Sequence, residues 1–327
     1  MQRALIAAAV IGLISACSNL APADGPRHSF TSAHEFGATA LAFSPDGALL
    51  ASGGYRGEIS IWQVEPPRFV AALRQHTDTV RALAYVTRER LVSSGDDGLV
   101  LVWDLGAGAP VARVRAGATA ALSADPGAVF TGHRDGQLRS WGYPSLQPLN
   151  AVRLDGEIIA LDRHGDLLAV ATADGRVALF NAALDWQRDL QSSGPAARDL
   201  RFSPDGRLLV AGSWFRLLVW DVASGDLRAA GNEHQGLLTS VDVSPDGRSL
   251  VSLGRYTDSA IRVWGRDTLA VQRRYQAHEL CGAMIRFSPD GRYLASASDD
   301  ESVRLYDLAR PATGAPAASV ATPSPYF

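Results

Sequence analysis

Seven aromatic residues recur at a nearly constant interval: Trp62, Trp103, Trp141, Phe180, Trp220, Trp264 and Tyr306, spaced 41, 38, 39, 40, 44 and 42 residues apart. Each closes a unit of the same internal order. A tight turn leads into an apolar strand, a small acidic turn follows, and a second strand ends on the aromatic; Phe287–Asp307 is the clearest copy. One such unit cannot bury its own sheet, whereas units stacked around an axis cover one another. The period therefore predicts an all-β chain folded as a seven-bladed β-propeller, with four antiparallel strands per blade.

Local chemistry agrees with the period. Ser44-Pro45-Asp46-Gly47 recurs at 203–206, 244–247 and 288–291. Proline sets φ at the second turn position and glycine accepts positive φ before the chain returns, so these are hairpin turns between the first two strands of a unit. Repeats two to four replace the turn with Val86-Thr87-Arg88-Glu89, Asp125-Pro126-Gly127 and Arg163-His164-Gly165-Asp166. The strand that ends on the aromatic is apolar on both faces, as in Leu99–Trp103 and Leu217–Trp220. A strand with one wet face alternates; a blade sandwiched between two others does not. With 46% hydrophobic residues, 31 Gly and 17 Pro, the chain has the core material and the turns for such a ring.

Trp103-Asp104 and Trp220-Asp221, with Tyr306-Asp307 as a variant, make the chain resemble the tryptophan-aspartate (WD) repeat family. The resemblance implies a structural tetrad in each blade. A His ahead of the first strand bonds an Asp in the second turn, and a Ser or Thr and the aromatic complete the chain. Matching positions are His76, Ser93, Asp97 and Trp103 in repeat two, His234, Ser252, Asp258 and Trp264 in repeat six, and His278, Ser296, Asp300 and Tyr306 in repeat seven. A catalytic triad would not recur blade after blade, so these sets are read as structural networks. Repeat one keeps His34, Ser52 and Trp62 with Arg56 at the Asp position; repeat three keeps Thr131, Asp135 and Trp141 without the His; repeat four keeps Asp174 and Phe180; repeat five has Val210 for Ser and Trp214 for Asp.

The phase of the repeat assigns domains. The propeller occupies residues 28–308, and the leftover stretch His28–Ser32 is expected to pair as the outer strand of the last blade, closing the ring. Residues 309–327, rich in Ala, Pro, Ser and Thr, are expected to be disordered.

The N-terminus carries a second message. Arg3 precedes an apolar stretch from Ala4 to Ile14, too short for a bilayer span, which takes about 20 residues. Ile14-Ser15-Ala16-Cys17 then resembles the lipobox of bacterial lipoproteins. The resemblance implies a signal peptide over 1–16, cleavage after Ala16, diacylglycerol on the Cys17 sulfur, and a lipid-anchored protein facing the periplasm. Ser18 in place of Asp favours the outer membrane. Residues 17–27 are expected to be the lipidated Cys and a flexible tether. Cys281, the other cysteine, is read as a small buried core residue.

Composition narrows the partners. The formal charge is −3 and none of the 31 basic residues is a lysine, so a basic field for nucleic acid is absent and a Walker-type phosphate loop is excluded. No cofactor or metal is expected. First-strand residues assigned to the channel mouth are Thr39, Arg81, Glu157, Arg198, Thr239 and Ala283, a mixed set with one carboxylate. Instead, the loops between second and third strands gather Trp214, Phe215, Arg216 and Tyr256 on adjacent blades, with Tyr55 and Arg56 in repeat one. Aromatic residues and Arg dominate interface hot spots. These residues, with Arg81 and Arg198, form the candidate protein-binding face. The expected function is a non-enzymatic, monomeric scaffold for an envelope protein. The alternative is a periplasmic propeller enzyme or small-ligand binder, which would need three or more acidic or His side chains converging in the channel.

Overall fold

A computed structural model describes residues 24–31, 34–191, 194–231, 233–256, 258–275, 278–309 and 318–321. These residues form seven sheets with no helix among them. The first blade is Ala38–Phe43, Leu49–Gly54, Glu58–Gln63 and Arg68–Arg74, paired antiparallel in that order, and five further blades repeat it. The fold is the seven-bladed, four-stranded propeller that the period predicts.

The tight turns work as their residues dictate. Gly47, Gly206, Gly247 and Gly291 hold φ of 69°, 67°, 68° and 69°, where a side chain would be strained. The Ser44 hydroxyl donates to Asp46 at 2.6 Å and accepts the Leu49 N–H at 2.9 Å, closing the hairpin from within.

Seven apolar clusters hold the ring, one between each pair of neighbouring blades. Between blades one and two, Ile59 and Ile61 pack against Leu91 and Trp103; between six and seven, Val251 and Val263 pack against Leu294 and Tyr306. The third strands are apolar on both faces because each blade contributes to two clusters.

Closure uses the N-terminus. His28–Thr31 pairs antiparallel with Val303–Asp307, placing His28 opposite Leu305 and Phe30 opposite Val303. Phe30 is buried, its ring 4.6 Å from that of Trp62 in blade one. Arg27 reaches Asp307 and Glu65 at 3.1 Å each, joining the last blade to the first.

Two expectations about the ends need correction. Residues 24–27 are not a free tether: the Asp24 N–H donates to the Arg274 carbonyl at 3.1 Å, and its carboxylate meets Arg273. An Asp held by one backbone bond and one arginine on the outer strand of blade six is a latch. The expectation of a structureless segment from 309 fails over Ala318–Ala321, which lies parallel to His28–Thr31 as a fifth strand of the last blade. The edge of His28–Thr31 accounts for this, since its free backbone N–H and C=O groups are a template for a further strand. The remaining expectations for 1–23, 310–317 and 322–327 lie outside the described residues. Cys281 is half-buried ahead of the inner strand Gly282–Phe287, not a core residue.

Candidate functional site

The tetrads form as chains of polarity. In blade two the Trp103 indole donates to the Ser93 hydroxyl at 2.8 Å, Ser93 lies 2.8 Å from His76 Nε2, and His76 Nδ1 lies 2.9 Å from Asp97. An indole N–H only donates, so Ser93 accepts it and donates its own O–H to Nε2; a neutral His76 then donates from Nδ1. Blade six repeats this through Trp264, Ser252, His234 and Asp258, and blade seven joins His278 to Ser296 at 2.7 Å and to Asp300 at 2.9 Å. Burial lowers the pKa of His76, His234 and His278, outweighing the opposite pull of each Asp, so the imidazoles stay neutral. Burial alone would raise Asp258 and Asp300, yet their His partners and other donors hold both well below the usual carboxylate range. Blades six and seven add a member that the sequence reading missed. Arg262 meets Asp258 at 2.9 Å and Arg304 meets Asp300 at 3.3 Å, each four residues after its Asp.

The degenerate blades are repaired by neighbours. In blade one Glu58, two residues beyond the expected Asp position, reaches His34 Nδ1 at 2.8 Å. Blade three supplies its imidazole from the second strand: His133 Nε2 lies 2.8 Å from Thr131, which also accepts the Trp141 indole N–H at 2.9 Å. Both residues sit off the tetrad spacing, which is why the repeat pattern did not single them out. In blade five strand register corrects the alignment. Leu200 opposes Ala211 as Leu41 opposes Ser52, so Ala211, not Val210, holds the Ser position. With no hydroxyl there, the Trp220 indole donates to the Gln191 carbonyl at 2.9 Å. Freed from the tetrad, the turn carrying Trp214 and Phe215 points outward.

At the channel mouth, six inner strands carry a bulge at one equivalent position, occupied by Thr39, Arg81, Ala120, Ile159, Thr239 and Ala283. Ile159, not Glu157, therefore occupies the blade-four position. Arg81 is committed to Asp96, which also holds Arg134.

Deeper in the wall lies a charge network with no counterpart in the sequence reading. Three aspartates belong to it, Asp162, Asp199 and Asp242. Each accepts a backbone N–H from the inner strand of the next blade: Phe202 to Asp162 at 2.7 Å, Val241 to Asp199 at 3.1 Å, Phe287 to Asp242 at 2.7 Å. An inner strand has one unpaired edge, and these side chains cap it. Arg201 lies 3.2 Å from Asp162 and 3.8 Å from Asp242, and Arg286 lies 3.1 Å from Asp199. Burial pushes Asp199 up, but Arg286 and Arg201 more than offset it and hold it low. At Asp162 and Asp242 burial wins and the carboxyls are pushed up. All three acids are thus engaged by arginine and backbone. Among the described residues no cluster of three or more His, Cys, Asp or Glu could hold a metal ion.

The turns between second and third strands place the candidate face. Trp214, Phe215 and Tyr256 are 40%, 49% and 61% exposed. The Trp214 and Tyr256 rings, from neighbouring blades, lie 6.1 Å apart and 7° from parallel; Phe215 tilts against Trp214 at 5.8 Å. The shelf is fastened from below, because the Phe215 N–H donates to the Gly236 carbonyl at 2.9 Å and Leu238 N–H to Ser213 at 3.1 Å. Phe215 and Tyr256 hold φ of 62° and 67°, a conformation costly for aromatic residues. Phe36, absent from the sequence reading, does the same at 68° and is 56% exposed, with the Arg56 guanidinium 4.7 Å above its ring. Tyr55 and Arg255 converge on Asp299 at 2.9 and 2.8 Å, so Tyr55 is a brace between blades. Arg198 and Arg216 are exposed.

Sequence comparison decides the family. The WD domain, G-beta repeat matches residues 25–63, 67–104, 188–221, 227–265 and 271–307, more than half of the chain. The chain belongs to this WD-repeat family. The unmatched stretch contains blades three and four. Relatives include Periodic tryptophan protein 2 of Arabidopsis thaliana, 24% identical over 84% of this chain and 29% of its own length. The Ribosome biogenesis protein WDR12 homolog of Chlamydomonas reinhardtii is 25% identical over 81% and 61%, and the Guanine nucleotide-binding protein subunit beta of Zea mays 25% identical over 55% and 52%. This WD-repeat chain thus spans less than two thirds of each.

Proposed function

We propose that this protein is a non-catalytic protein-interaction scaffold of the cell envelope, anchored by lipid on Cys17 and docking an envelope protein on the face formed by blades five and six. The observation that carries the reading is the aromatic shelf. Three large aromatic residues stand exposed and fastened in place, two of them against backbone preference, which a protein without a partner for them has no reason to retain. No catalytic role is assigned to the channel, whose acids are engaged by Arg201, Arg286 and backbone N–H groups.

The anchor rests on Arg3, the apolar stretch Ala4–Ile14 and the Ser15-Ala16-Cys17 sequence. Each acyl CH₂ contributes about 0.8 kcal/mol of membrane affinity, so two or three chains anchor stably. Six residues separate Cys17 from the latched Asp24. They extend to roughly 20 Å, which keeps the propeller beside the bilayer. The absence of Asp after the cysteine favours the outer membrane.

Two fractionation experiments test the reading. Cys17→Ser should move the protein from the membrane to the soluble fraction; retention on membranes removes the anchor. Cross-linking in intact cells should show envelope proteins attached to the native protein and lost on Phe215→Ala with Tyr256→Ala. An unchanged cross-linking pattern removes the docking face.

A further inference from the structure

The arginines of the docking face divide into two groups. Arg56, Arg81, Arg134, Arg176 and Arg255, all carried by second-to-third-strand turns or at the channel mouth, are ion-paired with Glu35, Asp96, Asp96, Asp189 and Asp299. Arg198 and Arg216 occupy the same kinds of position, are exposed, and have no carboxylate partner among the described residues. Arg216 follows Phe215 directly, and the Arg198 N–H donates to the Gly212 carbonyl at 2.7 Å, two residues before Trp214. Two guanidiniums without a carboxylate partner are therefore carried by the segments that hold the shelf.

Resting on the docking surface proposed above, we infer that the shelf takes an extended, acidic segment of the partner in which two apolar residues at alternate positions are bounded by carboxylates. Alternate residues of an extended strand lie about 6.6 Å apart on one side. The Trp214 and Tyr256 rings are 6.1 Å apart, so two apolar side chains at alternate positions would each meet one ring. Carboxylates two residues before and after that pair lie on the same side of the strand and would face Arg198 and Arg216, whose planar donors suit bidentate pairing. A chain with net charge −3 repels an acidic segment elsewhere, so these two arginines set both place and orientation.

Fluorescence anisotropy with the folded protein tests this, using three fluorescein-labelled probes: the peptide Glu-Ser-Leu-Ser-Leu-Ser-Glu-Gly, its counterpart with every Glu replaced by Gln, and a twelve-residue oligothymidylate. The acidic peptide should bind at least tenfold more tightly than the Gln peptide. Arg198→Gln with Arg216→Gln should remove that advantage without altering the melting temperature. Equal binding of the two peptides, no binding by either, an advantage that survives in the double variant, or tighter binding of the oligonucleotide would each overturn the inference. Failure here with loss of cross-links on Phe215→Ala and Tyr256→Ala would discard the acidic segment and keep the docking face; unchanged cross-links would discard both.

Discussion

The Asp199 carboxylate of blade five lies 3.1 Å from the Arg286 guanidinium of blade seven, with the Ser240 hydroxyl of blade six 2.8 Å from each. Three blades are thereby joined at the wall of the channel, independently of the apolar clusters between them. Removing one partner of a nearly buried pair strands the other charge, at a cost of about 3–5 kcal/mol. Both side chains keep slight exposure, 12% and 11%, so the lower end applies. Asp199→Ala should therefore lower stability in urea by about 3 kcal/mol. Asp199→Ala with Arg286→Met should recover part of the loss, and additive losses would show that the two side chains act separately.

Ser93 is the hub of the blade-two tetrad. Ser93→Ala leaves a buried indole N–H without an acceptor and His76 Nε2 without a donor. Each orphaned group costs about 1–3 kcal/mol. The loss in urea unfolding should be about 2–4 kcal/mol, against under 1 kcal/mol for a surface Ser→Ala such as Ser224→Ala.

The histidines give the fold an acid limit. Burial lowers His76, His133, His234 and His278 from the ordinary value of 6.5. A depressed folded pKa means that the unfolded chain binds the proton first. Stability from these groups is fully present above pH 6.5 and is lost as pH falls toward their folded values, by at most about 1.4 kcal/mol per pH unit for each histidine. Melting temperature should hold from pH 8 to 7 and fall steadily from 6.5 to 5. A flat profile across that lower range would show that the imidazoles are not held neutral.

The period of the aromatics carried the fold because every blade must present the same cross-section to its neighbours, so one spacing repeats seven times. Tetrads with standard spacing were legible for the same reason. Repairs were not: Glu58 and His133 complete their blades from offset positions, and strand register alone places Ala211 and Ile159. The channel wall was hidden in a different way. Asp162, Asp199 and Asp242 stand in different repeats, each beside ordinary β-strand residues, and ring closure is what brings them to Arg201 and Arg286. The exposed aromatics were legible as a departure from pattern, since a turn that elsewhere holds small acidic residues holds Trp214 and Phe215 in blade five.

The most direct test of the docking face replaces Phe215 by a photo-cross-linking amino acid in the full chain in intact cells, with Leu149 of an outer strand, also strongly exposed, as the reference site. A discrete cross-linked protein at position 215, absent at position 149, is the predicted result. Cross-links of equal yield and pattern at both positions, or none at 215, would contradict it.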